Sequence, residues 1–250
     1  MNDASRPPPP RPGLREPLLA FFGATGLAAG LALAGQSIPW LGRHLHAAIA
    51  AIFLYAPALA SRISGRPFDY RDAGLRLDPI GLNLRVLAIA AGVTLPLFAI
   101  AFFVFYGAVC GPHGGQLTAL FAGLCKLWLG FGGGTLRLPP DFLTSALNQV
   151  VVVAIPEELF FRGYLMGRLD ERWPPARRLL GAPVGKALVM SSLLFALGHV
   201  MVVPDFRRLA VFFPALVFGW MRARTGSIVA GALFHALCNL FADVLHTSYF

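Results

Sequence analysis

From Leu84 to Val109 the chain carries a single charged side chain, Arg85, at the very start of the run. About 20 apolar residues, rising ~1.5 Å each, cross the ~30 Å hydrocarbon core of a bilayer. Inside lipid every backbone N–H and C=O must find its partner within the segment, so a run of this kind has to be a helix. The runs Leu18 to Trp40, Leu45 to Ala60, Phe142 to Leu165, Val184 to Val203, Leu209 to Met221 and Ile228 to Leu245 obey the same rule. The expected fold is all-α, a polytopic transmembrane bundle of about seven or eight helices. Composition leaves little room for anything else. Of 250 residues 56% are apolar and 13% charged, against about 25% charged in soluble domains.

Residues 1–16 hold Pro7 to Pro10 and Pro12 and cannot form a helix, so they read as a disordered cytoplasmic tail. Residues 17–141 read as N-terminal transmembrane helices and 142–250 as the chemical half. The first apolar run is too long for a signal peptide and lacks a clear cleavage site. Gly26 and Gly30 stand at GxxxG spacing, which lets a neighbouring helix approach closely. Leu45 to Ala60 is short and expected to tilt or break at Pro57. Leu117 to Phe131 contains Lys126 and ends in Gly132 to Gly134, so whether it crosses is open. The positive-inside rule bears on that question. With a cytoplasmic tail, the basic stretch from Arg168 to Arg178 returns to the cytoplasm only if Leu117 to Phe131 does not cross.

The net charge of +9 does not imply nucleic acid. The basic residues sit in short loops between apolar runs, where they report membrane sidedness and attraction to anionic lipid. Cys110, Cys125 and Cys238 are odd in number and widely spaced, so neither a disulfide framework nor a metal motif is read from them. Cys238 is expected to be a small packing residue.

Chemistry enters at Ile155-Pro156-Glu157-Glu158-Leu159-Phe160-Phe161-Arg162. Ionisable groups at membrane depth cost several kcal/mol and are candidate functional sites by default. Four residues apart on a helix, Glu158 and Arg162 can pair. Glu157 points about 100° away from Glu158, which leaves it free for a different task. Two later runs carry Phe195-x-x-x-His199 and His235-x-x-x-Asn239. Each polar residue lies within roughly 15 residues of a segment end, about 22 Å of helix, so the groups can meet inside the bilayer. Taken singly, they are ordinary interhelical hydrogen-bond formers. Together they fit acyl hydrolysis by an activated water, with a carboxylate base, an imidazole to share its proton, and an imidazole and amide for the oxyanion. Ser191 and Ser192 look like packing residues rather than nucleophiles. His44, His46, His113 and His246 lie near segment ends, where polar side chains need no special role.

Glu157-Glu158-x-x-x-Arg162, Phe195-x-x-x-His199 and His235-x-x-x-Asn239, in that order and in separate apolar segments, resemble the three motifs of the CPBP family. This is the family of intramembrane glutamic endopeptidases that includes the CAAX prenyl endopeptidase Rce1 and the Abi proteins. The resemblance covers roughly residues 142–246, making 142–250 a CPBP-like catalytic core. It implies a peptidase in which Glu157 activates water with help from His199, and His235 and Asn239 form the oxyanion site. Glu158 and Arg162 would hold the geometry and Phe195 would shape the pocket. It also implies a membrane-anchored protein or peptide as substrate, processed as a CAAX-like tail or as a bacterial C-terminal sorting signal.

No cofactor is expected on this reading. A zinc enzyme using Glu157, His199 and His235 as ligands is the alternative within enzymes, although no HExxH is present. A transporter or scaffold built on the same polar cluster is the non-enzymatic alternative. The expected partners are the substrate and the lipid bilayer, with no nucleic acid. Arginine far outnumbers lysine, which occurs only at 126 and 186, and with abundant Ala, Gly and Pro this points to a bacterial inner membrane.

Overall fold

The computed structural model describes residues 13–112 and 115–250. The proline-rich stretch 1–12 and His113 lie outside the described residues. The first helix, α1 (Arg15–Ser37), begins inside the stretch read as tail, and its Glu16 is an ion-pair partner rather than a loose charge. A short α2 (Pro39–Arg43) turns the chain into α3 (Leu45–Ile63), which runs unbroken through Pro57. The long apolar run is α4 (Ile80–Cys110).

Leu117 to Phe131 forms no helix long enough to cross. It holds two short helices, α5 (Gln116–Leu120) and α6 (Ala122–Cys125), folded back on the end of α4. Two forces hold it there. Trp128 stacks on Tyr106 with ring centres 5.1 Å apart and meets Tyr249 and Phe250 from the C-terminus. Cys110 and Cys125 are joined in a disulfide, a pairing that their number and spacing do not announce. Aromatic clusters of this kind belong to the membrane–water interface.

The Glu-Glu segment is a single rod from Phe142 to Arg172 with two wide turns in it. After α7 (Phe142–Asn148) come a π-helical stretch (Gln149–Ala154), α8 (Ile155–Glu158), a second π stretch (Leu159–Leu165) and α9 (Met166–Arg172). The N–H of Ile155 bonds Val150 O and that of Met166 bonds Phe161 O, each five residues back. Pro156 lacks an N–H and cannot serve an ordinary helical ladder, so the register has to adjust around it. Such π turns cluster at functional sites.

A hairpin of β1 (Arg177–Leu179) and β2 (Ala182–Val184) then interrupts the all-helical pattern. Leu180 and Gly181 both take positive φ, the signature of a primed two-residue turn. The carbonyl of Leu179 accepts from Trp220 Nε1 at 2.9 Å, pinning the hairpin to the bundle. The chain closes with α10 (Lys186–Val202), a 3₁₀ stretch (Phe206–Val211), α11 (Phe212–Thr225) and α12 (Val229–Tyr249). Helices α1, α3, α4 and α12 are long and apolar enough to span a bilayer. With the Glu-bearing rod, α10 and α11 they make seven rods, within the expected number. No heavy atom from a neighbouring helix comes within 4 Å of where a Cβ would stand on Gly26 or Gly30, so the GxxxG pair is not a helix contact here.

Hydrogen bonds fix the two ends of the bundle. At one end Arg66 and Arg168 both pair with Glu16, Arg222 donates to Asp72 O, and the Ser227 hydroxyl donates to Arg76 O. At the other, Leu129 N donates to Tyr249 O and Arg137 N to the Ser248 hydroxyl. The first end is the more heavily basic of the two.

Candidate active site

Glu158 is the buried partner of the pair. Its side chain is 1% exposed, and its Oε1 lies 3.0 Å from Arg162 Nη1 in the expected i,i+4 ion pair. The arginine is fully enclosed. Its guanidinium carbon stands 4.1 Å over the Phe195 ring and 5.2 Å over Phe218, with Nη2 donating to Ala215 O at 3.4 Å. A cation so far from water is retained only because a carboxylate and three aromatic faces surround it.

Glu157 faces the other way, as the helix geometry predicts. Its side chain is 15% exposed and lines a cavity of about 440 Å³. One oxygen, Oε2, is enclosed with no hydrogen-bond partner in the protein. Around it stand His199 from α10 and His235 and Asn239 from α12, with Phe195 and Phe161 at the inner wall. Glu157, His199, His235 and Asn239 all line this one cavity together with Phe195, and Glu158 and Arg162 lie behind it. A larger cavity of about 1050 Å³ lies between α1 and α3 near the basic end, and none of the candidate residues line it.

The two imidazoles are held differently. His199 Nδ1 donates to Phe195 O at 3.0 Å, which leaves Nε2 as its free nitrogen. His235 lies between the glutamates, with Nδ1 3.1 Å from Glu158 Oε1 and Nε2 3.9 Å from Glu157 Oε2. A carboxylate only accepts, so Nδ1 carries the hydrogen in that bond. The ring is also clamped by Phe218, stacked at 4.9 Å and 14°. One face of His235 is thereby fixed by an acid that takes no part in lining the cavity.

Three participants were not legible beforehand. Gln149 Oε1 accepts from Asn239 Nδ2 at 2.8 Å and sets the amide's direction. Its place in the π stretch two turns ahead of Glu157 follows from register, and no spacing rule in the sequence announces it. Phe218 looks like any apolar residue of α11. His46, read as interfacial, lines the outer part of the cavity with Arg208. Ser191 and Ser192 both return their hydroxyls to Leu188 O, as packing residues do. Cys238 is half-buried on the cavity wall. Among the described residues no three His, Cys, Asp or Glu side chains are grouped so as to hold a metal ion.

Residues 139–241 match the family described as type II CAAX prenyl endopeptidase Rce1-like. This stretch is Rce1-like. The matched range contains Glu157, Glu158, Arg162, Phe195, His199, His235 and Asn239, and it takes in the Glu-bearing rod, α10, α11 and α12 as far as residue 241. The match supports, at the general level, a CAAX-type protease acting on a membrane-associated peptide or protein, and the four long apolar helices support an integral membrane protein. Helices α1 to α6 lie outside the match. Comparison with curated proteins finds no match, and neither does comparison with solved structures.

Proposed function

We propose that the chain is a glutamic-type intramembrane endopeptidase that cuts a peptide bond with an activated water. Glu157 takes a proton from water in the cavity, and the resulting hydroxide adds to the scissile carbonyl carbon. His199, with Nε2 free, shares that proton and delivers it to the leaving nitrogen as the C–N bond breaks. The oxyanion forms opposite, beside the Nε2 edge of His235 and the Asn239 amide, which donates to it. Glu158 and Arg162 position rather than react: the acid holds Nδ1 of His235, and the arginine holds the acid. The products are a carboxylic acid and an amine, with no covalent enzyme intermediate.

The convergence of Glu157, His199, His235 and Asn239 on one enclosed cavity supports this reading. The Rce1-like match supports the reaction class. As proposed, the reaction draws on protein groups alone and takes place in a bacterial inner membrane, the setting the arginine-rich composition suggests. Glu157→Gln should lower cleavage by about 10²–10⁴-fold, the range for a lost general base, while melting unchanged in detergent. Cleavage by the variant at the wild-type rate overturns the base assignment. A zinc enzyme on Glu157, His199 and His235 makes the opposite forecast for metal: stoichiometric zinc in active protein, and activity lost to chelator and restored by zinc. The reading proposed here expects chelation to leave the rate intact.

A further inference from the structure

The lining residues of the cavity that are exposed, His46, Val203 and Arg208, all lie at the end away from the basic one. The cavity walls run outward from Phe161 and Phe195 to these three. None of its lining residues come from the loop 64–79, the hairpin or the turn 226–228. On α10, His199 stands three residues from the end at Val202 and thirteen from the start at Lys186, about 4.5 Å against about 20 Å at 1.5 Å per residue. Behind the glutamates the way is closed. Leu159, Leu165 and Leu169 are wholly buried, and beyond them Glu16 is locked to Arg66, Arg168 and Tyr164.

Two independent features say which side of the membrane the mouth faces. The first is charge. The closed end carries eleven Lys or Arg over residues 62–76, 168–186 and 222–224, and the mouth end five over 38–44, 111–141 and 203–211. Basic loops stay in the cytoplasm. The second is the Cys110–Cys125 disulfide, which lies at the mouth end, where α4 finishes and α6 packs against it. Disulfides persist in oxidising compartments and are rare in the cytosol. Charge excess and thiol chemistry are unrelated properties, and they give the same orientation.

We infer that the active-site cleft opens on the non-cytoplasmic face, so that the substrate is a polypeptide already translocated and still tethered by a hydrophobic segment, cut near the outer end of that segment. This rests on the peptidase reading for the cut itself, and on geometry alone for the side. It separates this chain from enzymes that process tails presented from the cytosol. A prenylated cytosolic C-terminus would have to pass the Glu16–Arg66–Arg168 lock and the buried leucines to reach Glu157.

The side is tested without any activity. Val203→Cys on the rim and Arg178→Cys on the hairpin are probed in intact spheroplasts and in inverted membrane vesicles with a membrane-impermeant maleimide, each against unsubstituted protein. Labelling of Val203→Cys in spheroplasts and of Arg178→Cys only in inverted vesicles is the expected result. The reverse pattern overturns the orientation. The substrate class is tested by mapping new termini of membrane proteins in cells with wild-type or Glu157→Gln enzyme. Glu157-dependent termini at outer ends of hydrophobic segments support the inference, and termini on the cytoplasmic side overturn it. If Val203→Cys is labelled from outside and no Glu157-dependent terminus appears, the peptidase reading and the substrate class fall together while the orientation stands.

Discussion

At the scale of single residues, two adjacent acids have opposite duties because one helical step separates their directions. Glu158 is committed to Arg162 and His235 behind the cavity, and Glu157 lines the cavity itself. Removing either should therefore have very different consequences. Glu158→Ala strands a fully buried guanidinium and should cost about 3–5 kcal/mol of stability, the usual penalty for an orphaned buried ion. Thermal unfolding in detergent reads this directly, and a melting point equal to that of Glu157→Gln would show that the ion pair is not what balances Arg162. Gln149→Ala leaves Asn239 without its orienting partner. The lost bond is of the order of 1 kcal/mol, so kcat should fall about fivefold with KM little changed. A loss confined to KM would place Gln149 in substrate binding instead. The acids, imidazoles and Asn239 were legible in the sequence because charge and amide groups in apolar runs are conspicuous. Gln149 and Phe218 were not, since their roles come from which face of a neighbouring rod they meet.

At the scale of elements, the Glu-bearing rod is the least regular helix, and its second π stretch is wholly buried. That stretch passes so close to the 69–74 turn that a Cβ on Gly163 would stand 2.7 Å from Ala73 O. The obstruction is backbone and cannot rotate aside. Gly163→Ala should cost about 1–3 kcal/mol, as overpacking does, and should reduce activity by shifting the turn that carries Arg162. Unchanged stability would mean that the turn at Ala73 is free to retreat. Apolar run lengths foretold the rods well, and Leu117 to Phe131 stayed ambiguous for a physical reason. Its apolar residues serve an aromatic cluster with Tyr106 and Tyr249 and a disulfide to α4, and hydropathy cannot distinguish that from lipid. The hairpin escaped notice too. Its turn residues, Leu180-Gly181, carry no Asn-Gly or Asp-Gly signal, and its anchor is the distant Trp220.

At the scale of the whole molecule, the bundle is closed at its basic end and open at the other. The closure is built from ion pairs among Glu16, Arg66, Arg168 and Glu171, drawn from three separate stretches of chain. The open end is built from the rim of α10, the start of α3 and the 3₁₀ stretch. A short path from His199 to that rim lets water reach a carboxylate that is otherwise deep in apolar surroundings. On the proposed mechanism Glu157 activates water in this cavity. The most direct measurement of that step is the appearance of a new protein terminus in membranes holding purified wild-type enzyme, run in parallel with Glu157→Gln protein of the same melting point. The predicted result is a terminus with wild-type enzyme and none above background with the variant. Equal product from both would contradict the mechanism.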